Sequence, residues 1–532
     1  MIFNLKRRER RNGCHKITEN EGGRNMSQPA LEKGTERKDS GFFQRFLNLV
    51  EKYGNKLPDI ITLFFILTIL ILIASAIAAF FEWSAINPAN GEVITAVNLL
   101  STEGLIQILT NMVSVFIEFP PLGVVLVAML GVGLAESTGL LLAVIKFAVL
   151  KSHRSLIIPM IIFIGVVGNL AGDAVFIALP PIAAVIFISI GMHPLAGIVA
   201  SYAAAAAGFG ANIIINITDV LITGFTQVGI DMVDSSIRVN PSINFYFSFV
   251  STFLIVPIAA FVTKRIIQPR LGTYIGSYKG DVEELSEIEK KGLKWAGIVT
   301  GLFVVLLLFM TVPENGMLRD PETGSLIDSP LMDSLIPLIL ILFIVPSIVY
   351  GFIVKSLKSD RDISKHLTDA MSSMAYFILI AFVASQMIAI FDWSNLGSII
   401  SIRGAEFLSD LGFTGLPLLL AFIIFSAFVN ILIASASAKW ALLAPVFVPM
   451  FMYMQIDPAV TQAAYRVADS ITNAITPMLA YFGILLVTAQ KFDKNVKLGT
   501  LISLLLPYSI FLGIPWIVLF AVWYLLGLPF GP

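Results

Sequence analysis

GNLAGDAVFIALPP at residues 168–181 and ASASAKWALLAPVFVP at residues 434–449 set polar and charged side chains inside segments otherwise apolar enough to lie in a bilayer. The first carries Asp173, and the second carries Ser435, Ser437, Lys439 and Trp440. Each is followed by a second polar break, GFGANIIINITD at 208–219 and YRVADSITNAITP at 465–477. Ionisable groups at membrane depth are costly, so by default they mark a functional pathway.

Composition agrees with a membrane setting. The chain of 532 residues is 57% hydrophobic and only 13% charged, with a mean hydropathy of +0.86, far more apolar than a soluble globular protein. Apolar runs such as 60–81 and 296–312 are long enough to cross about 30 Å of hydrocarbon as helices. The fold class is therefore an all-α polytopic membrane protein. The single cysteine, Cys14, gives no disulfide framework and no thiol metal site. His15, His153, His193 and His366 are scattered without metal-ligand spacing, so no transition-metal centre is expected. A net charge of -1 carries no information about partners.

The first 57 residues hold 13 Lys and Arg against 7 Asp and Glu and contain no apolar run. They read as a solvated basic tail on the cytoplasmic side, with the start of the chain open between Met1 and Met26. Downstream, Lys and Arg collect in blocks at 146–154, 264–294, 355–365 and 491–497, which places those loops in the cytoplasm. Residues 313–330 are acidic with one Arg, as suits an exterior loop.

Counting spans against these blocks predicts nine transmembrane helices, centred near residues 70, 135, 212, 255, 304, 343, 379, 474 and 512. Two segments are left over. Residues 156–192 must start and end on the cytoplasmic side and 413–454 must start and end outside, so both read as re-entrant helical hairpins. Irregular backbone at that depth is tolerated only where protein or a water-filled cavity covers it. Residues 104–119 and 395–408 read as amphipathic interfacial pieces, the first also as a short extra crossing. The organisation expected is a tail at 1–57, a first repeat at 58–290 with hairpin 156–192, and a second repeat at 291–532 with hairpin 413–454. Opposed hairpins and broken helices make an inverted repeat, the architecture of secondary transporters. Spacing agrees: Asp173 to Pro181 matches Ser437 to Pro445, and Gly208, Asn212 and Asn216 match Asp469, Asn473 and Pro477.

The motifs GNLAGDAVFIALPP, AAAAAGFGANIIINITDVLITG, ASASAKWALLAPVFVPMF and YRVADSITNAITPMLAYF together closely resemble the AbgT family of p-aminobenzoyl-glutamate transporters, over residues from about 40 to the end. The resemblance implies a homodimer in the inner (cytoplasmic) membrane, with nine spans and two hairpins per subunit. It also implies transport of p-aminobenzoyl-glutamate or related folate-pathway compounds. Family members have been associated both with import of that catabolite and with efflux of sulfonamide antimetabolites, so the direction stays open. Carried over motif by motif, the functional positions are Asp173, Ser437, Trp440, Arg466, Asp469 and Pro477.

Each position has a chemical reading beside a bland one. A carboxylate in the membrane at Asp173 can bind Na+ or take up a proton, or simply cap a hairpin helix. Arg466 and Asp469, three apart, share a helical face and can pair; the guanidinium also suits a substrate carboxylate, which leaves Asp469 for the coupling cation. Pro477 frees the Asn473 carbonyl, or merely kinks the helix. Trp440 offers a flat face to an aminobenzoyl ring, or is an interfacial tryptophan. Ser437 and Ser435 offer hydroxyls, or are small residues for helix packing. Lys439 either attracts the anion or snorkels outward. Asn212, Asn216 and Asn473 suit cation or amide contacts, or satisfy one another. Glu136 has no assigned role, and Glu118 and Asp219 are expected near an interface.

Competing classes fit less well. A GxGD aspartyl protease motif is missing its first glycine before Asp173, so an enzyme is not expected. A passive channel would show rings of like pore-lining groups, whereas the two halves carry unlike polar residues. No nucleotide-binding motif is present, so ATP is not the direct energy source and the driver is an H+ or Na+ gradient. No nucleic-acid partner is expected.

Overall fold

The computed structural model describes residues 60–532, except 89–90, 151–155, 172–173, 275–284, 327–328 and 480. The basic tail expected at 1–57 and the Asp173 site residue lie outside the described residues. The described chain is helical apart from one antiparallel pair of short strands, Ser84–Ile86 with Val93–Thr95, in which Ser84 faces Thr95.

Among the described residues, nine helices are long and apolar enough to cross a membrane. Seven of the nine expected centres, at 70, 135, 255, 304, 343, 379 and 512, fall inside such helices. The centres at 212 and 474 do not: both sit in breaks between two shorter helices. The nine are completed instead by Gly415–Leu432 and Ala436–Tyr453, the arms of the second hairpin. At 18 residues, each arm is about 27 Å long, close to the thickness of a bilayer core, so length alone does not separate hairpin from crossing. The arms of the first hairpin, Ile157–Val167 and Ala174–Ser189, are shorter, and a 3-10 turn at Gly168–Ala171 leads out of the first arm. The segment expected to lie at the interface near 104–119 is the helix Thr102–Ile117, which runs on through Pro120–Ser137 as a single candidate span. The second, near 395–408, is the helix Leu396–Asp410.

The two broken helices start alike. Pro194–Ala207 is capped by His193 and Pro458–Asn473 by Asp457, and both have Pro at the first helical position. There the missing N–H costs nothing and the fixed φ suits a helix. The first breaks at 208–216 and resumes as Ile217–Asp231, restarted by a capping box between Asn216 and Asp219. The second breaks at 474–481 and resumes as Phe482–Gln490.

Packing crosses the halves reciprocally. The second arm of the first hairpin packs on Pro194–Ala207 and on Phe482–Gln490 of the other half. The second arm of the second hairpin packs on Pro458–Asn473 and on Ile217–Asp231 of the other half. This is the contact pattern of an inverted repeat. At Gly229 the approach is close enough that a Cβ would lie 2.8 Å from the Ala444 carbonyl oxygen. Outside this core, Glu287–Thr311 turns large side chains such as Leu302 and Phe309 outward, as expected of a helix facing lipid.

Candidate functional site

Pro458–Asn473 is the most polar helix of the interior, with Gln462, Tyr465, Arg466, Asp469, Ser470 and Asn473 all buried. Arg466 and Asp469 share one side of it, but they do not pair with each other as expected. Arg466 pairs through Nη1 with Asp219 Oδ1 of the first broken helix, and Asp469 Oδ1 accepts from Lys439 Nζ at 2.6 Å. Asp219 is therefore a buried partner of the site and not an interfacial residue. Its other oxygen, Oδ2, accepts from Asn216 N at 2.7 Å in the capping box, which leaves Oδ1 for the guanidinium. A helix restart thus fixes one member of an ion pair that ties the two broken helices together.

Lys439 does not snorkel. Its side chain is fully enclosed, with the ammonium held by Asp469 Oδ1 and Asn430 Oδ1 and lying 5.2 Å from the Tyr465 ring centre. Asn430, from the first arm of the second hairpin, donates to the Asp469 carbonyl, Thr472 Oγ1 and Asn473 Oδ1, each at 2.8 Å. Asn473 Nδ2 in turn donates to Asp469 Oδ2 at 3.0 Å. Both carboxylate oxygens of Asp469 are thereby met by protein donors. Buried charges persist where they are paired and hydrogen-bonded in this way.

Trp440 and Tyr465 stack with centroids 4.2 Å apart and planes 25° from parallel. One face of the indole is thus covered, and Trp440 has no exposed surface. Its Nε1 donates to Thr226 Oγ1 at 2.9 Å, Thr226 Oγ1 donates to Gln462 Oε1 at 2.6 Å, and Gln462 Nε2 donates to Asn244 Oδ1 at 2.9 Å. The tip of the second hairpin lies alongside. Ser435 caps the helix Ala436–Tyr453 through Ala438 N, and its hydroxyl is 3.3 Å from that of Ser437. Both serines are half-buried.

Pro477 does not kink a helix. Pro458–Asn473 has already ended, and Pro477 stands in the break beyond it. Asn212 and Asn216 lie at the first break, buried, with Asn212 N donating to the Ser248 carbonyl at 3.3 Å. Among the described residues no group of three or more His, Cys, Asp or Glu could hold a metal ion.

The structure thus brings Arg466, Asp469, Trp440, Asn473 and Asn216 into one buried region and adds Asp219, Asn430, Lys439, Thr226, Gln462 and Tyr465 to it. Of the added residues, Lys439 stood out as a charge inside an apolar segment, and Asp219 had a legible local signal in the N-x-x-D spacing of a capping box. Asn430 is a lone amide in the apolar arm Gly415–Leu432, and its role depends on partners from another helix.

The sequence model of the AbgT putative transporter family matches residues 45–532. The chain is 36% identical over 483 residues to the p-aminobenzoyl-glutamate transport protein of Escherichia coli (strain K12), covering 91% of this chain and 95% of that protein. Its fold is similar to the YdaH transporter of Alcanivorax borkumensis, with a TM-score of 0.86 and 35% identity over 89% of this chain and 100% of that one. It is equally similar to MtrF of Neisseria gonorrhoeae, described among antimetabolite efflux pumps, with a TM-score of 0.86 and 43% identity over 90% of this chain and 98% of that one.

Proposed function

The chain belongs to the AbgT putative transporter family, and from that premise we propose that it is a secondary active carrier of p-aminobenzoyl-glutamate and related folate-pathway compounds, driven by an H+ or Na+ gradient. The observation that carries this reading is the buried pair of Arg466 with Asp219, which bridges the broken helices of the two halves. A guanidinium binds carboxylates through a planar fork, so a substrate carboxylate is the natural competitor for Asp219. Once displaced from Arg466, the Asp219 carboxylate is a buried charge without its partner, and an incoming cation restores the balance. This links anion binding to a coupling ion without fixing which ion it is.

Lys439, Asp469, Asn430 and Asn473 form the second charged locus. For Na+ to reach Asp469, Lys439 has to withdraw, because the ammonium already takes the oxygens of Asp469 and Asn430. Asp173, Ser435, Ser437 and Pro477 belong to this reading through their place in the motifs at hairpin tips and helix breaks. Trp440 acts as the partner of Tyr465 and becomes available to an aromatic substrate when the second hairpin moves. The aromatic amide with two carboxylates fits a region holding one guanidinium, several amides and two stacked rings. Export of sulfonamide antimetabolites is part of the proposal, on the strength of the likeness to MtrF. So are a homodimer and an inner-membrane setting with a cytoplasmic N-terminus, the latter supported by the basic composition of residues 1–57.

The test is uptake of radiolabelled p-aminobenzoyl-glutamate into proteoliposomes, with Na+ and pH gradients imposed separately in both orientations. Stimulation by one gradient that is lost in both Asp219→Asn and Asp173→Asn supports the reading. Equal downhill flux with and without any gradient would point to a passive channel.

A further inference from the structure

We propose that Asn212 and Asn216, at the break of the first broken helix, are hydrogen-bond donors of a carboxylate-binding subsite that they complete with Arg466. The inference deepens the carrier reading and rests on it only in that the ligand is an anion.

The argument turns on which end of each amide is already engaged. Asn216 Oδ1 accepts from Asp219 N at 2.9 Å, and Asn212 Oδ1 accepts from Ile213 N at 2.9 Å. Those backbone bonds fix the amide orientation and take one acceptor position of each carbonyl oxygen. Among the described residues Asn212 Nδ2 and Asn216 Nδ2 have no hydrogen-bond partner, although both side chains are buried. The same holds for Arg466, whose Nη1 meets Asp219 while Nε and Nη2 have no partner among the described residues, with the residue 3% exposed. Buried polar groups are nearly always satisfied, so side chains with surplus N–H groups call for an acceptor.

These donors come from two segments that pack together. Asn216 N and Arg466 Nη1 hold opposite oxygens of the same Asp219 carboxylate. The backbone of the break lies against the Arg466 turn: Gly210 N donates to Ser470 Oγ at 2.7 Å, and a Cβ on Gly210 would come within 3.4 Å of Arg466 Cβ. Ser248, whose carbonyl holds Asn212 N, adds a buried hydroxyl without a partner among the described residues. Amide nitrogens and a guanidinium cannot ligate a cation, so the unpartnered groups themselves call for an anionic oxygen. The second break contrasts with the first, because the amides of Asn430 and Asn473 are engaged there with Asp469, Lys439 and each other.

The experiment is ligand-dependent thermal stabilisation of the purified full-length protein. The ligands are p-aminobenzoyl-glutamate, its uncharged diamide, glutamate and benzoate, and the proteins are wild type, Asn216→Ser, Asn216→Asp and Asn212→Asp. Ser and Asp keep an oxygen for the cap and lose the amide N–H donors; the Ser hydroxyl is a shorter donor with less reach toward the ligand, and Asp has none when ionised and adds a negative charge. Carboxylate affinity is expected to fall about tenfold in Asn216→Ser, the effect of one lost hydrogen bond to a charged group, and further in the Asp variants. Should Asn216→Asp fail to fold, Asn216→Ser carries the test alone. If wild type binds another carboxylate in place of p-aminobenzoyl-glutamate and Asn216→Ser weakens it, the substrate assignment falls and the subsite stands. Affinity in Asn216→Ser within twofold of wild type would overturn the proposal, as would a diamide that binds as well as the diacid, or the absence of stabilisation by any carboxylate.

Discussion

Lys439 and Asp469 form an ion pair of 2.6 Å in which neither side chain has meaningful exposure, and the pair joins the helix Ala436–Tyr453 to the second broken helix. Truncating one partner of a buried pair leaves an uncompensated charge and costs about 3–5 kcal/mol, whereas removing both charges can be nearly neutral. Lys439→Met is therefore expected to lower the melting temperature by several degrees. Adding Asp469→Asn should recover most of that loss. A double variant as unstable as the single one would show that the lysine matters for shape and not for charge compensation. The comparison needs only thermal denaturation of the purified wild type, the two single variants and the double variant.

Arg466 and Asp219 make a different prediction, because Asp219 is read as the competitor of the substrate. Asp219→Asn removes the internal carboxylate and leaves Arg466 free to hold the ligand, so KM for p-aminobenzoyl-glutamate should fall while turnover falls with it, substrate release being slowed. Arg466→Lys keeps the charge but loses the planar fork, and uptake at low substrate should drop by at least about tenfold, the loss of one charge-assisted hydrogen bond. An unchanged KM in Asp219→Asn would remove Asp219 from the binding step.

The sequence made the helical membrane class legible because apolar runs of span length need no tertiary context. It also located both helix breaks, where Gly208, Asn216, Asn473 and Pro477 interrupt apolar segments. The charge pairing was not legible. Arg466 and Asp469 sit at pairing distance along one helix, yet each is claimed by a partner that the fold brings from another element, Asp219 and Lys439. Local spacing says which groups can meet and not which meeting wins. Lys439 read either as attracting the anion or as snorkelling outward, and only Asn430 and Asp469 together make its burial tolerable. The engaged carbonyls of Asn212 and Asn216 likewise depend on backbone geometry at the break, which composition does not carry.

Gly229 tests the packing across the halves. A Cβ there would lie 2.8 Å from both Ala444 O and Val448 Cβ of the second hairpin, so Gly229→Ala has to push that arm away. Overpacking of this kind costs about 1–3 kcal/mol. Gly301 in Glu287–Thr311 is the control, with nothing within 4 Å of an added Cβ. Gly301→Ala should be neutral or stabilising by about 0.5–1 kcal/mol, the helix preference of Ala over Gly. Equal destabilisation by the two substitutions would mean that the hairpin contact at Gly229 is not tight in the protein.

His193, in the turn between the first hairpin and the first broken helix, gives a pH dependence with a definite sign. Its Nδ1 accepts from Leu195 N at 3.2 Å as the cap of Pro194–Ala207, which requires that nitrogen to be unprotonated. Burial holds the imidazole below its ordinary value of 6.5, and the attraction of Asp493 offsets part of that. The folded pKa thus lies below the unfolded one, so between the two the unfolded chain binds more protons. Stability from this group is fully present above the unfolded pKa, near 6.5, and is lost as pH falls through the depressed folded value. An asparagine at this position would cap the helix without titrating. Melting temperatures of wild type and His193→Asn, measured from pH 8 to pH 5, should run parallel above about pH 7 and diverge below about 6.5, with wild type falling faster. Curves that stay parallel to pH 5 would show that the cap survives protonation and that His193 contributes nothing to the acid sensitivity of the protein.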